Sequence, residues 1–557
     1  MQLRELIKNG LASVLLGFGI VVSMKSANAQ LSAYMVDPLE KIFPETVLPY
    51  DSFHEIDVAK GEVASAQLVL RSGENLDQVE LSVDAPGLPN EGISCGAIGF
   101  VRAGRQYTDP AVDRLVSNTG FYPDPILDDK PLNLQAGLAQ AFYISIPISA
   151  ETKAGTYPVK VDIRTKDMQI RKEFAIHVHN VRLAKQELWV TNWYSLAPER
   201  LALLNKGEQV KSFGPVYWRL IETLANKMAA YGQNTALISP LDLAIYKMEG
   251  EHLSIDFSRF DQTVDIFRKA GVLGRIEGGH IGQRAGNWSS SFIVRVPEPL
   301  ADSTRFRQLP IEDPRAKNFY ARFFKALIAH LEEKGWLSDY YQHIADEPTG
   351  DNKESYIAIA SYVKSIAPQI KIMEACHSKD LAETIDLWVP QLDFLNKDFT
   401  FYQDRKKAGD EVWFYTCLSP RGNYANRFID LPLIKTRLIH WINYKYQIDG
   451  YLHWGFNYWN QDPYEETTGI NSEGGNILPT GDSWIVYPGY QKLYSSIRLE
   501  AMRDGINDYT LLQMLTKKNP DLAKKIIDNM VFRFDWYDTS IKNFRASRKA
   551  MLKALSE

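Results

Sequence analysis

The 557-residue chain carries 63 Lys and Arg against 68 Asp and Glu, a formal charge of −5, with 45% hydrophobic and 24% charged residues. That balance excludes collagenous, disordered and polytopic membrane classes, leaves room for several hydrophobic cores, and offers no basic field to nucleic acid phosphates. Twelve Trp, 28 Tyr and 25 Phe supply rings for flat apolar ligands such as sugar faces, while three Cys build no disulfide framework.

In chain order, Arg4 and Lys8 precede an apolar run from Gly10 to Met24, followed by Ala27-Asn28-Ala29. This pattern predicts a signal peptide over residues 1–29 with cleavage before Gln30, since an apolar run of about 15 residues is short for a membrane span of ~20. No Cys follows the cleavage site, so no lipid anchor is expected. The chain reads as exported, to the periplasm or the exterior.

Residues 30–185 show short strands between turns. Ala66 to Leu70, Ala141 to Ile146, Val159 to Ile163 and Phe174 to Val178 combine alternation with β-branched and aromatic residues. They predict an N-terminal antiparallel β-sandwich, with a hairpin turn at Ala154-Gly155-Thr156.

From residue 186 to 557 the period changes, and strands alternate with helices. Strands are expected at Leu188 to Asn192, Thr235 to Ile238, Val272 to Glu277, Tyr341 to Ala345, Ile370 to Ala375, Phe394-Leu395, Val412 to Thr416 and Gly450 to Trp454. Helices are expected at Pro215 to Ala230, Phe257 to Ala270 and Ala316 to Lys334. Eight such units suit a (β/α)₈ TIM-type barrel; a doubly wound open sheet is the alternative, though no Gly-rich phosphate fingerprint follows the first strand. The tail from Tyr490 reads as helical, a C-terminal extension of the barrel.

In a barrel, chemistry sits at the C-terminal ends of the strands. The fourth strand ends Ala345-Asp346-Glu347-Pro348, and Pro348 is expected to keep Glu347 extended, with both acids at the barrel mouth. Asp410-Glu411 precedes the seventh strand and reads as a solvated pair at the opposite end. For glycoside hydrolysis the ordinary scheme needs a second carboxylate across the sugar, but Val412 to Cys417 contains none. Glu277 and Glu374 are other candidates, each equally well read as a buried structural acid. The alternative is a substrate whose 2-acetamido oxygen attacks the anomeric carbon, with one acid orienting the amide and the other donating and later accepting a proton. An acid neighbour and an apolar wall are expected to raise the proton donor's pKa. Candidate sugar contacts are Trp193, His280, Tyr415, Trp454, Asn457 and Trp459, with Trp454 and Trp459 for stacking and Asn457 for a hydrogen bond. Gly278 and Gly279 are expected to let the backbone approach a ligand. Scattered His and the absence of a His-Glu-x-x-His helix or Cys pair leave no metal or cofactor expected.

At these residues the chain resembles glycoside hydrolase family 123. The resemblance rests on Ala345 to Pro348, Trp413 to Pro420 with Asn426, Asp430 and Pro432, Gly450 to Trp459, Gly481-Asp482 with Tyr487-Pro488-Gly489, and Arg498 to Tyr509. It implies an exo-acting, retaining β-N-acetylgalactosaminidase in which Asp346 stabilises the acetamido group and Glu347 is the general acid/base. The implied partner is a glycan ending in N-acetylhexosamine, with no nucleic acid and no stable membrane span. Galactosamine preference comes from the resemblance alone. Two other readings stay open: a two-carboxylate glycosidase using Glu347 with Glu277, and a non-catalytic glycan-binding barrel. Arg498 and Glu500 are possible supports of the site.

Overall fold

The computed structural model describes residues 31–48, 50–103, 111–249, 252–300, 304–381, 383–467 and 478–557; the expected signal peptide lies outside them. Among the described residues no helix is long and apolar enough to cross a membrane.

The N-terminal region forms two sheets. One has seven strands in the order Ser32–Val36, Val63–Arg71, Ala139–Pro147, Ser94–Arg102, Phe121–Leu127, Lys492–Ser496 and Tyr487–Gly489; the other has four, Glu55–Lys60, Gln169–Arg182, Gly155–Arg164 and Glu80–Asp84. Pairing is antiparallel except between Glu55–Lys60 and Gln169–Arg182. Leu68, Leu70, Phe142, Ile144, Val159, Val161, Phe174 and Ile176 share one buried apolar cluster, so both sheets contribute to one core. Alternation places Val69 and Tyr143 on the opposite face, in the larger core that contains the helices.

Two expectations are corrected here. Ala154-Gly155-Thr156 is not a hairpin turn, because Ala139–Pro147 and Gly155–Arg164 lie in different sheets; the hairpin falls at residues 165–168, closed by the Thr165 N–H donating to Met168 C=O at 2.8 Å. The tail from Tyr490 is not wholly helical. Lys492–Ser496 is a strand that pairs Ser495 with Ile126 and Ser496 with Pro125, and the helix Ile497–Lys518 starts after it, capped by the Ser496 hydroxyl.

The remaining strands make a curled parallel sheet, a half-barrel of six strands in the order Thr235–Leu237, Arg275–His280, Tyr340–His343, Lys371–Cys376, Leu387–Pro390 and Glu411–Val412. A second parallel sheet orders Trp189–Asn192, Gly450–His453 and Phe414–Tyr415. One seam between them is bridged by Trp413 N–H to Trp388 C=O at 2.8 Å, the other by Asn234 N–H to Val190 C=O at 3.2 Å. Tyr341, Met373, Ala375, Leu387, Val389, Trp413 and Leu452 fill the inside of the curl, while Trp388 packs outward on Phe401 and Tyr402. Burial on both faces explains why these strands read as continuous apolar runs.

The same fact relocates one strand. The sixth runs Leu387–Pro390, and the expected Phe394-Leu395 lies in the helix Leu392–Lys397, because the fully buried Leu387-Trp388-Val389 run fills the sheet position. Asp410 and Glu411 are not simply solvated: Asp410 accepts from Trp388 Nε1 and Arg405, and Glu411 from Arg275 and Tyr341.

Between the N-terminal sheet and the curled sheet sits a buried ion pair. Arg498 Nε and Nη2 donate to Asp124 at 2.8 and 2.7 Å, with neither side chain exposed, and Tyr487 OH adds a third bond to Asp124 at 2.6 Å. Arg498 also donates to the carbonyls of Arg427, Gly481 and Trp484, so it ties sheet to helix and does not reach substrate. Glu500 is likewise spent on Tyr231, Ser495 and Arg503. Replacing Arg498 with Met strands a buried carboxylate, and urea denaturation is expected to show a loss of about 3–5 kcal/mol; a loss below about 1 kcal/mol would contradict this role of the pair.

Candidate active site

A cavity of about 470 Å³ opens at the C-terminal ends of the parallel strands, within the range of small-ligand sites. Its wall includes Trp193, Arg284, Trp288, Asp346, Glu347, Tyr415, Trp454, Tyr458 and Trp459. Asp346 and Glu347 are the two carboxylates among its described lining residues.

The acid pair is presented by a fully buried polar layer beneath it. Glu374, on the neighbouring strand, accepts the backbone N–H groups of Ile344 and Ala345 at 2.8 and 3.0 Å. Its other oxygen lies 3.1 Å from His343 Nδ1 and 3.3 Å from His280 Nε2. His343 Nε2 meets Glu277 at 3.0 Å, and Glu277 accepts the Trp193 indole N–H at 2.7 Å. Burial alone would depress the His343 pKa, but hydrogen bonds to Glu277 and Glu374 reverse this and push it up to about 10. Burial would raise Glu374, and the two imidazoles outweigh it, holding this carboxyl below its usual value. Glu277 and Glu374 are therefore structural acids in this layer. His280, His343 and Glu374 bring potential ligand atoms within 4.8 Å of one another. An imidazolium engaged at both nitrogens has no lone pair for a metal, so this donor set does not suit a resident ion.

Glu347 has φ +46°, in the left-handed region, and not the extended backbone expected from Pro348. Arg284 Nη2 donates to the Glu347 carbonyl at 2.9 Å. The Glu347 carboxylate accepts from the Tyr415 hydroxyl and lies 3.4 Å from His377 Nε2, which is itself 2.5 Å from that hydroxyl. His377 stacks between Phe394 and Tyr415 with interplanar angles of 13° and 10°.

The titration order within the pair differs from expectation. Exclusion of water and the Glu347 charge push Asp346 up to about 6. Burial would also raise Glu347, but the hydrogen bonds and charge of His377 and the Tyr415 hydroxyl outweigh it and hold Glu347 below its usual value. His377, in turn, is raised against its own burial by Glu347. The expected elevation thus falls on Asp346, because Glu347 has two donors and Asp346 has only His280, at 3.9 Å.

Of the predicted sugar contacts, Trp193, Tyr415, Trp454 and Trp459 line the cavity together with the acids. Trp454 is held by its indole N–H on Asp482 at 3.1 Å, and burial pushes Asp482 up to about 7. Trp459 is almost wholly buried and donates to the Val486 carbonyl, so little of its ring faces the cleft. Asn457 does not reach the cleft at all: it is fully buried, with its oxygen accepting from Ser195 N–H and its nitrogen donating to Ser195 C=O. Gly278 and Gly279 make room for protein and not for ligand. A Cβ on Gly278 would collide with the Tyr340 hydroxyl, and one on Gly279 would lie 2.7 Å from the Ser239 Cβ.

Sequence reasoning missed His377, Arg284, Trp288 and Asp482. His377 directly follows the fifth parallel strand, a position the barrel rule marks; Arg284 and Trp288 lie on a β-hairpin excursion, Gly282–Arg284 with Phe292–Pro299, that carries no such signal.

The model of the family described as glycoside hydrolase 123, catalytic domain, matches residues 200–515, more than half of the chain. Among solved structures, a family 123 glycoside hydrolase from Clostridium perfringens, described in terms of glycolipid glycan hydrolysis, is similar at 16% identity. It covers 94% of this chain and 97% of its own, with a TM-score of 0.71. A β-glucuronidase from Bacteroides uniformis (10% identity, 85% of this chain, 51% of that one) and an endo-β-1,4-mannanase from Thermotoga petrophila (12%, 58%, 77%) score 0.30 and 0.34, too low to argue fold. No curated protein matches the sequence. The fold shared with the Clostridium enzyme and the match across the strands that build the cleft agree: the chain belongs to glycoside hydrolase family 123 and is a glycoside hydrolase.

Proposed function

We propose that this glycoside hydrolase removes terminal β-linked N-acetylgalactosamine with retention, the substrate's own acetamido group serving as nucleophile. The observation that carries this reading is the make-up of the cleft: its described lining holds one adjacent acid pair and no carboxylate opposite. Glu277 and Glu374, which a two-carboxylate scheme would need, are locked under the floor by His343. The parallel sheets are then read as one (β/α)₈ barrel within residues 186–557, and the two N-terminal sheets as a β-sandwich within 30–185. Export after loss of residues 1–29 belongs to the same proposal. The choice of galactosamine and of a glycan substrate follows the family; the similarity to the Clostridium enzyme, described as hydrolysing glycolipid glycans, supports it.

In this reading the acetamido oxygen attacks the anomeric carbon as the bond to the leaving oxygen breaks and Glu347 gives that oxygen its proton. Asp346 accepts the acetamido N–H and stabilises the oxazolinium cation. Glu347, now a carboxylate, takes a proton from water; the hydroxide adds to the anomeric carbon, reopening the ring and restoring the amide. Two inversions give retention. The titration order fits once substrate is included. The free pair holds one proton on Asp346, and an amide N–H donated to Asp346 favours its charged form, so the proton moves to Glu347, where it is needed.

Glu347→Gln is expected to lower kcat/KM on an aryl N-acetyl-β-galactosaminide by about 10²–10⁴-fold, and Asp346→Asn comparably, while the matching β-galactoside is not cleaved. Unchanged rates in either variant would sink the roles, and turnover of the galactoside would restore the two-carboxylate scheme.

For wild type, kcat/KM is expected to fall as pH rises above about 6, where the free pair loses its shared proton. His377→Gln removes a positive neighbour that favours the Glu347 carboxylate, so Glu347 binds its proton more tightly and the falling limb moves to higher pH. A limb that stays in place or moves to lower pH argues against this part of His377.

A further inference from the structure

Beside the acid pair the cleft has an aromatic surface that the chemistry above does not use. Trp288 is 40% exposed and lines the cavity, unlike the other large exposed hydrophobic side chains among the described residues. The Arg284 guanidinium carbon lies 3.7 Å from its ring centroid, a close cation–π contact that covers one face.

The backbone holds this ring in place. The Trp288 carbonyl accepts from Arg284 Nε at 2.9 Å and from Asn352 Nδ2 at 3.1 Å. The loop bearing it is closed by Ala285 N–H to Ser291 C=O at 3.0 Å. Arg284 reaches with Nη2 to the carbonyl of Glu347, so the ring and the acid are braced by the same guanidinium. Arg284 Nη1 has no hydrogen-bond partner among the described residues, and the side chain lines the cavity. A solvent-exposed indole fixed at this cost in side-chain freedom is pre-organised to bind.

Position decides what it binds. With Glu347 as proton donor, the leaving oxygen sits at Glu347, and the group attached to that oxygen extends past it. Trp193, Trp454 and Tyr415 remain for the sugar being released. On that reading of the acid pair, we infer that Trp288 and Arg284 form the subsite for the sugar residue that carries the leaving oxygen: a pyranose with an apolar C–H face against the indole and a hydroxyl within reach of the guanidinium. The enzyme would then select substrates in which N-acetylgalactosamine is linked to another sugar over those carrying a small leaving group.

The test compares two donors with the same reacting sugar. One is β-N-acetylgalactosaminyl azide, whose leaving group is too small to reach Trp288; the other is a disaccharide of N-acetylgalactosamine β-linked to galactose. In Trp288→Ala the ratio of kcat/KM for the disaccharide to that for the azide is expected to fall about tenfold, the size of one lost ring contact. Trp288→Phe should recover most of that ratio. Because each variant is compared with itself, partial loss of folded protein cancels. A ratio unchanged in Trp288→Ala overturns the subsite alone. Failure of wild type to cleave either donor overturns the reading of the acid pair, and the subsite with it.

Discussion

Glu374 is the constraint on which the cleft depends. It is fully buried, and both oxygens are engaged, one by two consecutive backbone N–H groups at the end of the strand Tyr340–His343 and the other by His343, with His280 close by. An ionised carboxylate withdrawn from water persists only when compensated in this way. The compensation is also what shapes the site. By capturing the N–H groups of Ile344 and Ala345, Glu374 ends the strand and turns the chain so that Asp346 and Glu347 emerge together at the cleft. His343, charged between Glu277 and Glu374, fixes the layer laterally and carries the restraint through Glu277 to the Trp193 ring.

Two carboxylates side by side would repel if their surroundings were alike. Here the surroundings differ. Glu347 has Tyr415 and His377 to hold it charged; Asp346 faces the cavity with His280 as its near cationic partner. Environments that push paired pKa values apart are the usual basis for assigning different roles to chemically similar acids. The left-handed backbone of Glu347 and the arginine holding its carbonyl belong to the same device, since a strained residue keeps its place only when neighbours restrain it.

The N-terminal sheet is not an independent appendage. Two of its seven strands come from residues 487–496, and the helix that follows carries Arg498 back to Asp124. A second cluster repeats the theme: Arg548 bridges Asp508, on the helix Ile497–Lys518, to Glu62 near the N-terminal sheet, while Arg437 meets Asp504 and Asp508. Buried charge pairs are poor sources of net stability but costly to break singly, so they set how these sheets and helices join.

The local periodicities of the sequence determined much of this architecture. Alternation in Val159 to Ile163 marks a half-buried strand, apolar runs ending in Asp346-Glu347 mark a parallel strand with chemistry at its tip, and the helix Pro215–Ala230 begins and ends where its pattern does. These are properties of neighbouring residues along the chain, and the acid pair was legible because strand and acids are contiguous. Tertiary structure decided whatever depends on residues distant in sequence. It spent Asn457 on Ser195 and gave the space at Gly278 to Tyr340. It brought His377 and Tyr415 onto Glu347, and drew Lys492–Ser496 into a sheet that begins at Ser32. No periodicity encodes such meetings, because a side chain's partner across the fold leaves no mark on the spacing of its own neighbours.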